Sequence, residues 1–259
     1  MANGGNMGNR LLRMLVVMLG AGVLMLSETA LADEIRVMSS NAFKEAYLEL
    51  VPEFEKASGH TVVTSFVGGV DLSKRMKAGE SADLVILASG ALDELIKLGI
   101  LVSSSRVDLA RSGVGVAVRA GANKPDIGTA GALKKALLAA NSIGYSTGAS
   151  GVHIVGLFQR MGIAEEVKPK SRQAAPGVPV GDLIARGEAE IGFQQVSELL
   201  PVAGVAYLGP LPPDMQQFTV FSGGIHSGAK APALARSLAE FLASPATAAV
   251  KRKKGMEPG

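Results

Sequence analysis

Residues 35–66 read IRVMSSNAFKEAYLELVPEFEKASGHTVVTSF, and three periodicities follow one another in them. Ile35–Met38 is a short apolar run of strand type. From Ala42 to Ser58, the residues Phe43, Ala46, Tyr47, Leu50 and Phe54 recur at three- and four-residue spacing, the pattern of a helix with one buried face. Asn41 stands where an N-cap belongs and Gly59 where the helix would stop. Thr61–Phe66 then alternates as a half-buried strand does. Strand, helix and strand in that order make a βαβ unit, which implies parallel strands bridged by a helix.

The same alternation continues outward. A helix over Asp71–Ala78, a strand over Ala82–Leu87 and a helix over Ala91–Leu98 come next. Gly113–Arg119 and Ser142–Tyr145 read as strands, and Thr129–Ala140 and Gly151–Met161 as helices. Lys168–Pro179 reads as a loop. Val180–Arg186 is a helix, Ile191–Gln194 and Val205–Leu208 are strands, Phe218–Gly223 crosses back, and Pro232–Leu242 and Pro245–Lys254 are helices. This order implies an α/β fold of two lobes, each a mostly parallel sheet flanked by helices. Residues 34–110 with 220–259 would form one lobe and 114–212 the other. Two crossing segments would serve as hinge, with a cleft between the lobes.

The chain has 259 residues, a net charge of +3, no Cys and no Trp. Arg10 and Arg13 precede the apolar run Met14–Leu26 and the small-residue site Ala30-Leu31-Ala32. That is the layout of a secretory signal, residues 1–32, cleaved after Ala32. The run is shorter than the roughly 20 residues a membrane span needs. No Cys adjoins the cleavage site to carry a lipid. A chain this long buries a core without disulfides, so the lack of Cys is compatible with export. It excludes Cys-based catalysis. Three scattered His argue against a metal site, and nothing points to a cofactor. The near-balanced charge gives no reason to expect a nucleic-acid partner. Lys251-Arg252-Lys253-Lys254 reads as a solvated helix end, where cations suit the dipole.

The candidate chemistry lies where strands end and helices begin. Ser39, Ser40 and Asn41 follow the first strand, and Gly68, Gly69 and Val70 the second. Ser146 to Gly151, with Ser150, follows Tyr145, and Gln194 and Gln195 follow Phe193. Ligands of open α/β sheets bind outside the carboxyl ends of strands, and helix N-termini there favour anions. Each turn alone is ordinary, since Ser, Asn and Gly are common caps. Together they describe an anion cradle of neutral donors. The adjacent amides Gln194-Gln195 have no capping reason to follow a buried strand.

Residues 35–256 resemble the periplasmic substrate-binding proteins of ABC importers, close to the molybdate-binding type. The resemblance rests on IRVMSSNAFKEAYLELVPEFEKASGHTV, SADLVILASGALDELIKLGIL, SRVDLARSGVGVAV and FLASPATAAVKRKKGMEPG. It implies the type II two-lobed fold, a periplasmic location, a monomer, one buried small anion and an ABC permease in the inner membrane as partner. By position it places Ser40, Asn41, Gly69, Val70, Ser150, Gly151 and Gln195 around the ligand. This chain departs from the molybdate type at Ala42, at Gly68-Gly69 and at Gln195, where that type carries Ser, a Ser pair and Tyr. Lost hydroxyls and gained space argue for an organic carboxylate over a tetrahedral oxyanion.

Aconitate isomerase, a periplasmic enzyme that moves a proton on a tricarboxylate, is similar to the same binding proteins. Such chemistry needs a base close to a carbon-bound proton. His153, in the first turn after Ser150-Gly151, is the expected base if the chain is an enzyme, with His226 and Asp71 behind it. A di- or tricarboxylate would also suit bidentate Arg, for which Arg75, Arg106, Arg111 and Lys124 are the candidates. Each has an equally plain reading as a surface residue.

Overall fold

The computed structural model describes Met1 and residues 34–259; the rest of the expected leader lies outside the described residues. Among the described residues ten strands follow one another. β1 is Glu34–Ser40, β2 Thr61–Val67, β3 Leu84–Ala88 and β4 Val107–Arg119. β5 is Ile143–Tyr145, β6 Ser171–Gln173, β7 Ile191–Gln195, β8 Val205–Pro210, β9 Phe218–Ile225 and β10 Glu257–Pro258. They form one sheet path, β2-β1-β3-β9-β4-β7-β5-β6, with β8 and β10 attached to β4. Pairing is parallel within β2-β1-β3 and within β7-β5-β6. It is antiparallel wherever β4 and β9 take part, so the sheet is mixed.

Among the described residues the α-helices are α1 (Lys44–Ser58), α2 (Gly69–Lys77), α3 (Ser89–Lys97), α4 (Ala130–Ala139) and α5 (Ala149–Arg160). They continue with α6 (Ala164–Val167), α7 (Val180–Ala185), α8 (Val196–Leu199), α9 (Pro232–Ala243) and α10 (Ala248–Lys253). None is long and apolar enough to cross a membrane.

The apolar runs are continuous because helices cover both sheet faces. On β3, Leu84 and Ile86 join one buried cluster with Phe43, Tyr47 and Leu238, while Val85 and Leu87 join another with Leu72 and Leu95. β5 and β7 give Ile143, Ile191 and Phe193 to a third cluster, with Leu133 and Leu157. Gly144 and Gly192 lie under α7, where an added Cβ would meet Val180 or Ile184 within about 3.1 Å. The fourth cluster, around Val180 and Ile184, fills that side.

β4 is longer than the strand expected from Gly113. Its first half, with Leu109 and Ala110, belongs to the cluster under β1 and β3; its second half, Val114 to Val118, belongs to the cluster under β5 and β7. Two short pieces were not expected. β6 lies inside Lys168–Pro179, and β10 pairs Glu257 with Arg111. The reading of Lys251 as solvated also needs correction. Lys251 is fully buried against α1, and of the basic run Lys253 and Lys254 reach Glu49 instead. The expected N-cap shifts as well: Asn41–Phe43 is a 3-10 turn, and the residue before α1 is Phe43.

Candidate functional site

Six helical N-termini converge on one cleft. The 3-10 turn starts after Ser40, α2 after Gly68, α3 after Ala88, α5 after Gly148, α7 after Pro179 and α8 after Gln195, and all six of these residues line it. At none of the six does the N-cap residue's own side chain close the helix. The first N–H groups of a helix have no partner inside it; Gln194 takes the Val180 N–H of α7 and Ser112 the Ser197 N–H of α8, which leaves four starts uncapped. Away from the cleft two starts are held by side chains. Thr129 Oγ1 accepts the Ala132 N–H at 3.1 Å at the start of α4, and Asp83 takes the Lys230 and Ala231 N–H groups before α9. Uncapped ends grouped on one cleft make a region of positive potential without a cation.

The cleft has about 80 Å³ of room, several times what one water requires. Ser40 is almost fully buried there, and its hydroxyl has no hydrogen-bond partner. Ser146 Oγ lies 3.0 Å from Ser150 Oγ and accepts the Gly148 N–H at 3.2 Å, which shapes the start of α5. Gly151 sits under this turn: any Cβ there would collide with the Ser146 carbonyl. Across the opening, a Cβ on Gly68 would lie 2.9 Å from the Gly177 backbone nitrogen, so the two sides already touch.

Of the residues expected from sequence, Ser40, Asn41, Gly68, Gly69, Ser146, Ser150, Gln194 and Gln195 line the cleft. Four do not. Ser39 is buried behind it and donates to the Ser40 carbonyl at 3.2 Å. Val70 lines a neighbouring groove. Gly151 supports the Ser146 turn. His153 turns away, its Nε2 2.8 Å from the Met215 carbonyl. The expected arginines are engaged elsewhere: Arg75 with Glu80, Arg106 with Asp93 and Asp108, Arg111 with Glu257.

The two glutamines have partners that sequence could not supply. Gln194 Oε1 accepts the Val180 N–H at 2.7 Å, tying β7 to α7. Gln195 is best satisfied with its nitrogen on the Ser112 and Gly113 carbonyls, at 2.9 and 3.2 Å, and its oxygen on Thr219 Oγ1 at 2.9 Å. Its amide thus spans β4 and β9 at the point where both cross.

Glu198 is the cleft residue that sequence reading missed. It is the single ionisable side chain in the lining. Burial pushes its carboxyl up to about 7, and a hydrogen bond with the Gln194 side chain offsets part of that rise. The signal was present in its spacing: Glu198 stands three residues after the N-cap Gln195, the position from which an acid folds back over a helix start. Among the described residues no group of three or more His, Asp or Glu is placed to hold a metal ion.

With this geometry in place, comparison with known proteins is informative. The family described as bacterial extracellular solute-binding protein matches residues 35–257. An aconitate isomerase from a Pseudomonas species is 37% identical over 251 residues, covering 93% of this chain and 95% of that protein. The molybdate-binding protein ModA of Azotobacter vinelandii is 31% identical over 188 residues, 71% of this chain and 73% of its own. Among solved structures, the sulfate-binding protein SubI of Mycobacterium tuberculosis superimposes with a TM-score of 0.70 at 16% identity, over 87% of each chain.

Proposed function

The chain belongs to the bacterial extracellular solute-binding proteins and has the two-lobed type II periplasmic-binding fold, and from that footing we propose that it captures a small anion in its cleft for an ABC importer. In this reading residues 1–32 direct export, the mature chain works in the periplasm, and a permease of the inner membrane receives the ligand. The observation that carries it is the convergence of four uncapped helical N-termini on a cleft lined by Ser40, whose buried hydroxyl has no partner. Such a site supplies hydrogen bonds and positive potential but no full cation, which suits an anion held by neutral donors.

An organic carboxylate is the favoured ligand class. Gly68-Gly69 offers no hydroxyl to close around a tetrahedral ion. The 37% relative is named for a tricarboxylate substrate. A thermal-shift panel on residues 33–259 tests this with molybdate, sulfate, citrate, and cis- and trans-aconitate. A ligand at about 100 times its dissociation constant adds about 2.7 kcal/mol of stability, a rise of several degrees for a chain of this size. A rise with the organic acids supports the proposal, and a rise with molybdate alone sinks the carboxylate assignment.

A second reading, isomerisation of a tricarboxylate by proton transfer, has one observation in its favour. The cleft holds a carboxyl, Glu198, that changes charge near neutrality, as a general base does. Incubation with cis-aconitate, followed by proton NMR for the trans isomer, separates the two. Binding without conversion is the outcome expected of a capture protein.

A further inference from the structure

A carboxyl and no cation line a cleft built for anions, and this conflict has to be resolved when the ligand enters. We infer that Glu198 joins the ligand complex as the neutral acid, so that capture of an anion takes up as much as one proton from solvent. This rests on the anion-capture reading above and adds the protonation state in which capture occurs.

The geometry supports it from both sides. Gln194 is fixed by its bond to the Val180 N–H, which leaves its amide nitrogen for Glu198. The carboxyl that Gln194 holds also lines the cleft, where it is the one side chain able to gain or lose a proton. As the carboxylate, Glu198 would face the ligand as a like charge in a partly desolvated space, where repulsion is weakly screened. As the acid, it becomes one more neutral donor alongside Ser40 and the helix ends.

The other charges around Glu198 leave this balance in place. The groove on its far side holds Lys44, Glu45 and Asp182, one cation against two acids. The stretch of β4 packed on α8, Ser112–Gly115, has no ionisable residue. The turn after α10 meets α8 through Gly255, and the neighbouring Lys254 is paired with Glu49. β8 brings Tyr207, which burial pushes further above its ordinary value. From the cleft itself nothing else titrates.

Calorimetric titration of citrate, trans-aconitate and molybdate at pH 6 to 9, for wild type and Glu198→Gln, tests the inference. Glutamine mimics the neutral acid and cannot ionise, so ligand titration is common to both proteins and cancels. The expected result is wild-type affinity falling up to tenfold per pH unit above about 7, relative to a flat E198Q. At pH 7, heats measured in two buffers of different ionisation enthalpy should report proton uptake by wild type that E198Q lacks. If a ligand binds both proteins with the same pH dependence, the inference is overturned and anion capture stands. If none of the three binds wild type or E198Q at any pH, both fall. If E198Q binds but wild-type conversion of cis-aconitate is lost, Glu198 is a base acting as the carboxylate, and proton uptake is overturned in favour of the enzyme.

Discussion

Ser40 and Lys251 are both buried polar residues without partners, and they call for opposite expectations. Ser40 lines the cleft, and in the anion-capture proposal a ligand supplies its hydroxyl's missing partner. Ser40→Ala should weaken ligand binding about five- to tenfold, the worth of about 1 kcal/mol of hydrogen bond, and leave the free protein's melting temperature unchanged or slightly higher. Titration calorimetry and thermal melts read the two effects separately. Lys251 is fully buried with its amine unpaired, and it does not line the cleft. Burial lowers its pKa to about 8. A lowered folded value means that the charged form opposes folding. The penalty is complete below pH 8 and disappears as pH rises toward 10.5, where the unfolded chain also loses its proton. Lys251→Met should raise stability at pH 7 by roughly 3 kcal/mol, from about 1.4 kcal/mol per pKa unit, and remove the rise in stability above pH 8. A melting temperature that falls on this substitution would show that the amine has a partner.

The N-terminus of α9 is held by a residue far away in sequence. Asp83, just before β3, accepts the Lys230 and Ala231 N–H groups at 2.7 and 3.0 Å and the Arg36 N–H at 2.8 Å. Desolvation is the largest single influence on its pKa and raises it, but the three backbone bonds together overcome it and leave the carboxyl below its ordinary value. Its stabilising contribution is therefore complete above pH about 4 and is lost as pH falls further. Asp83→Ala leaves three N–H groups without an acceptor and should cost about 3 kcal/mol or more, read by urea denaturation. Only local features of such an element can be seen in the sequence. The periodicity from Phe43 to Phe54 and the glycine after it located α1 and its end, and the turns after β1, β2, β5 and β7 were legible as the places where a ligand could sit. Asp83 gave no sign that it holds the two residues leading into a helix begun almost 150 positions later. Gln195 looked like a ligand donor because its real partners, Ser112, Gly113 and Thr219, belong to other elements. Lys251 looked solvated because three other cations follow it. Glu198 escaped notice because an acid contradicts the anion logic that picked out its neighbours.

At the scale of the molecule, two sides of the cleft meet at Gly68 and Gly177. A side chain at Gly68 would occupy the place of the Gly177 backbone, while its own extended dihedrals accept a β-branched residue. Gly68→Val should hold the lobes apart, lowering ligand affinity at least tenfold with little change in the melting temperature of the free protein. Small-angle scattering should show a radius of gyration that no longer shrinks when ligand is added. Unchanged affinity would mean that the two lobes bind without closing, contrary to the hinge motion expected of this fold.

The path of the sheet also governs the order in which the protein can be made. β3 has β9 as its neighbour, pairing residues 84–88 with 221–225, and α9 covers the cluster beneath them. A chain growing from its N-terminus thus has β1, β2 and β3 long before it has the strand and helix that complete their core. Contacts this distant in sequence form late and slowly. The first hundred residues stay without a finished partner surface until nearly the whole chain has been synthesised, a delay that would suit the export proposed for this chain.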